Sequence, residues 1–333
     1  MRQSLSERCA AQIRNEEALR KGHMLEFESV IKLGALMYVN AGREADPERI
    51  KECKNILKER AGIFSNFRGS LEYIVLVKMS LSDNPSAYID GVMRVYEQLK
   101  SGRVLPGELL AMAATTIYEN CPAESRTMVV EKTREAYAGI KEQHRFLTDE
   151  SDMAFVALMI LAGLNPNQAV NEAERLFGML KDGFKVSSDA AQTAAMVLAL
   201  SNKPADQKVK EYIDLFEACK TAGHATAKDK KMAVYATLTD VDASQAEIVA
   251  EISEVDEWLK QQKGYGMMGI GASMRRLFAA TFVLEDRQAG ASAAASSTAT
   301  AVVQALVEEV VLIIVMLIVM SAVISSSVQT SHH

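Results

Sequence analysis

Five lysines recur at nearly constant intervals, and their charge and spacing suit them to bind an anionic partner. Intervals of 41, 40, 39 and 40 residues separate the members of this lysine row: Lys100, Lys141, Lys181, Lys220 and Lys260. Each follows a stretch with helical periodicity, so we expect it in the last turn of a helix, where a cation interacts favourably with the helix dipole. A repeated row can also line a surface that binds an acidic peptide. Both interpretations stay open, and the lysine row is our candidate partner-binding site.

Acidic residues form a second column with the same period. Intervals of 41, 40 and 40 residues separate its members: Glu108, Asp149, Asp189 and Asp229. Paired carboxylates can act as general acid and base, as they do in glycosidases. However, Asp149 follows Thr148 and Asp189 follows Ser188, a pattern typical of a first helical turn, where negative charge is also favourable. We therefore predict helix capping and no catalytic residue, with an acid–base pair as the alternative.

Two further motifs are associated with cofactors or metals in other proteins. Gly264, Gly266 and Gly269 match the G-x-G-x-x-G pattern of dinucleotide-binding loops. That fingerprint requires a preceding strand, whereas a helical pattern precedes Gly264, so we interpret the segment as a loop between helices. His144 and His224 are two repeats apart, about 20 Å at roughly 10 Å per helix layer, too far for one metal ion. We therefore predict neither a cofactor nor a metal site.

The elements that position these residues follow from the prolines, five of which recur with a similar period. Intervals of 38, 37, 44 and 38 residues separate them: Pro47, Pro85, Pro122, Pro166 and Pro204. Self-similarity with a period of about 20–50 residues is typical of repeat proteins. We predict an all-α fold of stacked antiparallel helical hairpins with a period of about 40 residues, an α-solenoid or superhelix. A closed (α/α) toroid is the alternative, since six or so hairpins can close on themselves.

The two helices of each repeat differ in composition. The first helix consists mainly of small and apolar residues, as in MAFVALMILAG from Met153. This composition predicts a more buried layer of closely packed helices. The second is amphipathic, with apolar residues one turn apart, such as Leu176 and Leu180. Turns such as Asn165-Pro166 join them, because Asn caps a helix and Pro fits its first turn.

Composition divides the chain into four segments. Residues 1–67 hold N-terminal helices, and residues 68–287 hold the helical-hairpin repeats. Residues 288–300 are low in complexity and read as a linker or a weakly formed helix. Residues 301–333 form an apolar tail, predicted to be helical.

The tail is a candidate membrane attachment. Val302–Ile324 is 23 residues long, close to a membrane span, but it contains Glu308 and Glu309. The uninterrupted part, Val310–Met320, is too short to span alone. The alternatives are an apolar helix that packs on the open end of the repeats, and self-association through the same face.

Charge and cysteine content narrow the class of protein. The net charge of −6 and a pI near 5.6 argue against general nucleic-acid binding, which needs a basic surface. The four cysteines are far apart in the sequence, a pattern that fits reduced thiols and a cytosolic protein. They are Cys9, Cys53, Cys121 and Cys219. The N-terminus is too charged for a secretory signal. We predict a cytoplasmic protein, with the tail as a possible membrane contact.

Several motifs together resemble a known family. GIFSNFRG at 62–69 follows DPERIKECKNILKER, and LTDE at 147–150, LFGMLKDGFK at 176–185 and WLKQQKGYG at 258–266 come later. This set resembles the bacterial domain-of-unknown-function family number four thousand and three over roughly residues 25–287. The resemblance implies a cytoplasmic all-helical protein, often with an apolar C-terminal tail, and it supplies no catalytic residues.

The sequence therefore favours a binding protein over an enzyme. A curved helical stack offers an extended surface, and no catalytic constellation is present. We predict a scaffold whose concave face binds a protein or peptide. The rival hypothesis is an enzyme of unknown reaction with a pocket at the ends of the more buried helices, lined by carboxylates such as Glu108 or Asp149.

Overall fold

The computed structural model describes residues 1–22, 27–62, 65–69, 71–100, 107–144, 147–294, 312–316 and 318. Helices account for 76% of the structure, and these ranges contain no strand. The predicted all-α class is confirmed.

Fourteen α-helices lie in the described residues up to Ala294, and they are numbered here in chain order. Their bounds are α1 Gln3–Gly22, α2 Glu28–Asn40, α3 Pro47–Arg60, α4 Glu72–Leu81, α5 Pro85–Lys100, α6 Glu108–Asn120, α7 Arg126–Gln143, α8 Asp152–Leu161, α9 Pro166–Gly183, α10 Ser188–Leu198, α11 Ala205–Thr221, α12 Val234–Leu238, α13 Gln245–Lys260 and α14 Gly271–Ala294. Short 3-10 turns at Ala123–Ser125 and Lys230–Ala233 precede α7 and α12.

Odd-numbered and even-numbered helices form two layers. Each odd helix from α1 to α13 contacts the next odd helix, and α2 contacts α4, while α6, α8, α10, α12 and α14 contact one another in sequence. Short turns join an even helix to the following odd helix, so neighbouring helices in one layer run in the same direction. The starts of the even helices are neighbours. Lys230, just before α12, lies 3.0 Å from Asp189 in the first turn of α10. Gly107, just before α6, is so close to Glu150, just before α8, that a Cβ atom on Gly107 would collide with it.

Burial separates the layers as the composition predicts. In α8 all nine residues from Asp152 to Ile160 are buried, and in α10 all nine from Ala190 to Leu198. By contrast, α9 buries a single stripe: Ala169, Ala173, Leu176 and Leu180. The even helices are thus surrounded on every side, whereas the odd helices keep one face in water.

Local signals fix the helix ends. Asn165 and Ser244 form capping boxes with Gln168 and Glu247. These pairs satisfy backbone N–H groups that a first turn leaves without partners. Pro47 and Pro166 occupy first turns, as the proline period predicts.

The last helix is longer than its apolar pattern suggests. Because α14 continues to Ala294, residues 288–294 of the segment read as a linker or weak helix are helical. Predictions for residues 295–300 lie outside the described residues.

The two ends of the helical region are in contact. Helix α1 packs on α14, where Arg8 Nη1 lies 3.0 Å from Glu285 Oε2. Asn40 of α2 donates a 2.6 Å hydrogen bond to the same carboxylate. Residues at the start of the chain are therefore neighbours of residues more than 240 positions later.

Candidate functional site

The structure places every member of the lysine row in the last turn of an odd helix. Lys100, Lys220 and Lys260 each pair with a glutamate three residues earlier, at 3.3, 2.8 and 3.3 Å. Lys141 lies over the Tyr137 ring at 5.4 Å, and Lys181 donates to the Val186 carbonyl. Since neighbouring odd helices run in the same direction, the row lies at one end of the molecule.

We call this end the lysine end, and the opposite end, where the odd helices begin, the proline end. The paired lysines keep 41–57% of their side chains exposed. Local pairing and the last-turn position agree with compensation of the helix dipole. A partner-binding role for the row stays a prediction.

The acidic column lies at the lysine end, where the even helices begin. Asp229 accepts a hydrogen bond from the backbone N–H of Lys231, and Asp149 accepts one from the N–H of Ser151. Asp189 is ion-paired with Lys230. The backbone contacts of Asp229 and Asp149 agree with the capping interpretation, and Asp189 lies in the first turn of α10, where negative charge is favourable.

One buried carboxylate beside this column was not predicted from the sequence. Asp152 is 2% exposed, and its Oδ2 accepts hydrogen bonds from Asp149 N at 3.0 Å and Gln192 Nε2 at 2.9 Å. Burial, reinforced by the charge of Asp149, raises the pKa of Asp152 to about 7. Gln192 Oε1 is buried with no hydrogen-bond partner within the described structure. Asp149, Asp152 and Gln192 are called the carboxyl cluster below.

A second buried polar group lies where α1 and α2 meet the loop before α14. Lys32 Nζ is 2.6 Å from Glu16 Oε2 and lies 3.8 Å above the centre of the Tyr265 ring. Tyr265 donates a 2.6 Å hydrogen bond to Glu16 Oε1. All three side chains are fully buried. Burial lowers the pKa of Lys32, and the charge of Glu16 opposes that shift. Glu16, Lys32 and Tyr265 are called the seam cluster below.

The two histidines have separate structural partners. His144 contacts Glu174 and the Phe177 ring. Nδ1 of His224 lies 2.8 Å from Asp256, and Glu257 is close enough for these three to form a conceivable metal site. However, Arg275 donates a 2.6 Å hydrogen bond to Asp256 Oδ1, and Arg276 Nε lies 3.5 Å from Oδ2, so two guanidinium groups already neutralise this carboxylate and would repel a metal cation. We therefore assign Asp256 to the packing of α13 against α14 and against His224, which follows α11.

The glycine-rich segment is a loop between helices, as predicted. It joins α13 to α14 and is held by backbone hydrogen bonds from Ile270 to Gly264 and from Gly271 to Gly266. Its tip exposes Met267 and Met268 completely. The preceding helix rules out the strand that a dinucleotide-binding fingerprint requires.

Part of the apolar tail is buried against the even helices. Residues 312–316 are helical, and Ile313 to Met316 are at most 1% exposed. Met316 lines a cavity of about 10 Å³. The same cavity is lined by Leu71, just before α4, by Val75 of α4 and by Ala111 of α6. Predictions for the rest of 302–324 lie outside the described residues.

The described residues were also compared with the length and composition of a membrane-spanning helix. No single helix there is long and apolar enough to cross a membrane. Helices α8 and α9 meet the length and composition criteria only as a pair bent by 120°.

The family resemblance is confirmed by direct comparison. The family model described as "Protein of unknown function (DUF4003)" matches residues 17–311. No curated protein and no solved structure matches the chain. Because the match covers most of the chain, this protein is a member of the DUF4003 family.

Proposed function

We propose that this protein is a protein-binding scaffold in which the helical hairpins close into an (α/α) ring around a centre that holds an apolar helix. The observation that carries the proposal is the burial of four consecutive tail residues, Ile313 to Met316. Successive residues of a helix are about 100° apart, so four of them face all directions. A helix packed on an outer surface would keep one side in water. Burial on every side is what a central position produces.

The burial of the even helices supports the same arrangement. In an open solenoid the inner layer lines a concave face that is free to bind a partner. Here α8 and α10 are buried around their whole circumference, and Met316 lies between the walls formed by α4 and α6. A ring whose centre is filled accounts for both facts.

The contacts between the chain's two ends favour the toroid over the open superhelix. Helix α1 contacts α14, and Arg2 at its start lies 2.6 Å from Glu251 of α13. Tyr265 of the loop before α14 reaches Glu16 of α1. In an open stack of this many hairpins, the first and last would be far apart.

In this arrangement the binding site is the centre of the ring and not a concave outer face. Its ligand is an apolar helix, and the chain's own residues 312–316 occupy it. An external segment must compete with a tethered one, whose effective concentration is in the millimolar range for a short linker. We keep the cytoplasmic location of the ring as part of the proposal.

Disulfide trapping tests the position of the tail. We expect Met316→Cys and Ala111→Cys in the full-length protein to form a disulfide within one chain on mild oxidation, because both residues line one small cavity. The native thiols should not interfere, since all four are buried and burial raises the pKa of Cys9 and Cys219 to about 12.

The matched control pairs Met316→Cys with Met128→Cys, which is exposed at the start of α7. Equal trapping of both pairs, or trapping only between chains, would overturn the assignment of the tail to the centre.

Competition tests the binding function. Ile314→Asp should weaken the hold on the chain's own tail, because it places a carboxylate among buried apolar side chains. A labelled peptide with the sequence of residues 310–320 should then bind the full-length variant about tenfold more tightly than the wild type. Val315→Ala is a milder second variant with a smaller expected gain. Equal binding to all three proteins would contradict the proposal.

The rival enzyme hypothesis rests on the carboxyl cluster. Asp152 and Asp149 are adjacent carboxyl groups, and the pKa of Asp152 is raised to about 7 by burial. At 2% exposure Asp152 cannot reach a substrate without a rearrangement of α8. The binding proposal needs no such rearrangement, and we therefore prefer it.

A further inference from the structure

A cavity of about 760 Å³ at the lysine end is lined by cations from four separate segments of the chain. The segments are the loop after α9, the last turn of α11, the stretch between α11 and the 3-10 turn before α12, and α14. In that order the cations are Lys185, Lys220, Lys228 and Arg276. The other described residues that line the cavity are uncharged: Phe216, Gly223, Ala225 and Thr226. We call it the cationic cavity, since no carboxylate of the described residues lines it.

Two of the lining lysines share one carboxylate. Glu217 Oε2 lies 2.8 Å from Lys220 Nζ, and its Oε1 lies 3.0 Å from Lys228 Nζ, so one negative charge faces two positive charges. Lys185 is exposed and makes no ion pair or hydrogen bond with a described residue. The three lysines and Glu217 together therefore carry two positive charges in excess.

Arg276 adds to this excess. It shares Asp256 with Arg275, whose Nε is 2.6 Å from Oδ1 of that carboxylate, whereas Nε of Arg276 is 3.5 Å from Oδ2. Two guanidinium groups thus face one carboxylate and leave one positive charge over. Together with the lysines, the cationic cavity and the charged groups that its residues contact have an excess of three positive charges.

Other carboxylates at the same end of the molecule lie outside this cavity. In the acidic column, Asp189 is ion-paired with Lys230, and Asp229 is ion-paired with Lys231. Asp182, in the last turn of α9, is exposed, and none of the three aspartates lines the cavity. The excess of positive charge is therefore a local property of the cavity and not of the lysine end as a whole.

Two of the cations are held in place. Lys228 Nζ lies 4.1 Å from the centre of the Phe184 ring and 5.4 Å from that of Phe216. Arg276 Nη1 donates a 3.1 Å hydrogen bond to the Ala225 carbonyl. Side chains that are already ordered lose little freedom when they bind a ligand. Phe216 is only 1% exposed, so the cavity offers a ligand charge and no exposed aromatic ring.

We propose that the cationic cavity binds a small oligophosphate, an anion with several linked phosphate groups. Arginine presents a fork of donors that matches a phosphate group, and lysine binds phosphate as a point charge. A peptide partner depends on buried aromatic or apolar anchors, which this cavity has no exposed ring to receive. The inference goes beyond the proposed ring and does not depend on what fills its centre. It gives one member of the lysine row, Lys220, a specific kind of ligand.

Calorimetric titration of the full-length protein with tripolyphosphate at low salt is the test. We expect the wild type to bind one tripolyphosphate per chain, with an affinity that falls as salt is added. Lys185→Gln/Lys220→Gln should weaken binding about tenfold or more, because two lining cations are lost. The fold should be unaffected, since both side chains are exposed.

The matched control is Lys100→Gln/Lys260→Gln. It removes the same charge from two exposed members of the lysine row that do not line the cavity. This control should bind tripolyphosphate as the wild type does.

A variant with the opposite sign separates charge from a loss of structure. Glu217→Gln should bind tripolyphosphate about three- to tenfold more tightly than the wild type, because it frees Lys220 and Lys228 from their shared carboxylate. A protein that has lost its structure would not gain affinity. Glu257→Gln, which removes the partner of Lys260 outside the cavity, is the control and should leave the affinity unchanged.

Adenosine triphosphate distinguishes a nucleotide from a free oligophosphate. Because the described lining residues offer no exposed ring for a base to stack on, we expect it to bind no more tightly than tripolyphosphate. Binding that is tenfold tighter or more would overturn recognition by charge alone and assign the cavity to a nucleotide.

Three further outcomes would overturn the proposal. They are no binding of tripolyphosphate to the wild type at low salt, equal binding by the wild type and Lys185→Gln/Lys220→Gln, and an equal loss in the Lys100→Gln/Lys260→Gln control. A hexaglutamate peptide that binds more tightly than tripolyphosphate would instead assign the cavity to an acidic protein partner. None of these results depends on the disulfide trapping of Met316, so the two proposals fail separately.

Discussion

The seam cluster and the carboxyl cluster both bury ionisable groups, but they balance charge differently. In the seam cluster, Glu16 is ion-paired with Lys32 and accepts a hydrogen bond from Tyr265. Arg20 makes a second ion pair with Glu16 at 2.9 Å. In the carboxyl cluster, Asp152 accepts hydrogen bonds from an amide and a backbone N–H. The charge of Asp149 raises the pKa of Asp152 further, and the opposing effect of Lys230, which is ion-paired with Asp189, is smaller. The first is a complete ion pair, and the second is a buried acid that makes no direct ion pair with a described residue.

The difference explains what each cluster can do. A buried pair is strongly destabilised when one partner is removed, because the other charge is left without compensation. A buried carboxyl group without a direct ion pair has a raised pKa, because burial disfavours its charged form. Its charge therefore changes in a pH range where ordinary carboxyl groups stay ionised. The seam cluster is therefore suited to holding the two ends of the chain together, and the carboxyl cluster is a titratable element in the wall.

The largest expected effect comes from breaking the seam. We expect Lys32→Met to lower the free energy of unfolding by about 3 kcal/mol, because Glu16 would lose its fully buried cation. This value is at the low end for a broken buried pair, since Arg20 would still contact Glu16. Urea unfolding monitored by circular dichroism measures this loss. Lys100→Met, at an exposed lysine, should change stability by less than about 0.5 kcal/mol.

A double variant sharpens this result. Lys32→Met combined with Glu16→Leu should recover part of the stability lost in the single variant, since no isolated charge remains. A single variant as stable as the wild type would mean that the seam cluster does not hold the ends of the chain.

The carboxyl cluster should respond to pH with a definite sign. The pKa of Asp152 is raised from 3.8 to about 7 in the folded protein, so the folded state binds the proton more tightly than the unfolded chain. The free energy of unfolding should therefore fall as pH rises from about 4 to 7. Asp152→Asn removes this effect and should be more stable than the wild type at pH 8, by on the order of 1–3 kcal/mol, with little difference near pH 4.

Urea midpoints at both pH values measure the difference. Asp206→Asn, at an exposed aspartate in the first turn of α11, is the control and should change stability by less than about 0.5 kcal/mol at either pH. Equal destabilisation by Asp152→Asn at both pH values would show that the carboxylate's hydrogen bonds matter more than its charge.

The helices could be predicted from the sequence because their signals are local. The capping pairs of Asn165 and Ser244 lie within one turn, and the buried stripe of α9 follows the helical period. The seam cluster has no such signal, since Tyr265 and Glu16 are 249 residues apart and meet only when the two ends of the chain do. No repeat or spacing predicts that contact.

The carboxyl cluster lies between these cases. Asp152 resembles one more acidic residue in a first helical turn, and only its neighbours make it a buried one. Gln192 lies 40 residues later, one repeat period, so a search for polar pairs one period apart could have found it. For the tail, packing of an apolar helix on the repeats was one of three alternatives, and the sequence could not choose among them, because an apolar run fits a membrane, a surface or a protein interior equally well.

The smallest expected effect belongs to the lysine row. Lys100, Lys220 and Lys260 pair with glutamates of their own helices and remain largely in water. Such pairs contribute about 0.2–0.5 kcal/mol, and the dipole contact about 0.3–1 kcal/mol. Because the three side chains are largely exposed, we expect the low end of both ranges, about 0.5 kcal/mol for each lysine. The three lysines lie on separate helices, so substitution of all three by Gln should destabilise the protein nearly additively, by roughly 1.5 kcal/mol.

Added salt should reduce that loss, because it screens exposed charges. Urea unfolding of the triple variant at low and high salt checks both points, with the seam variant Lys32→Met as the comparison that salt should not rescue. A large, salt-insensitive loss in the triple variant would place these lysines in a tertiary network like the seam cluster. A small one leaves a folded protein in which the partner-binding role of the row can be tested without a change of structure.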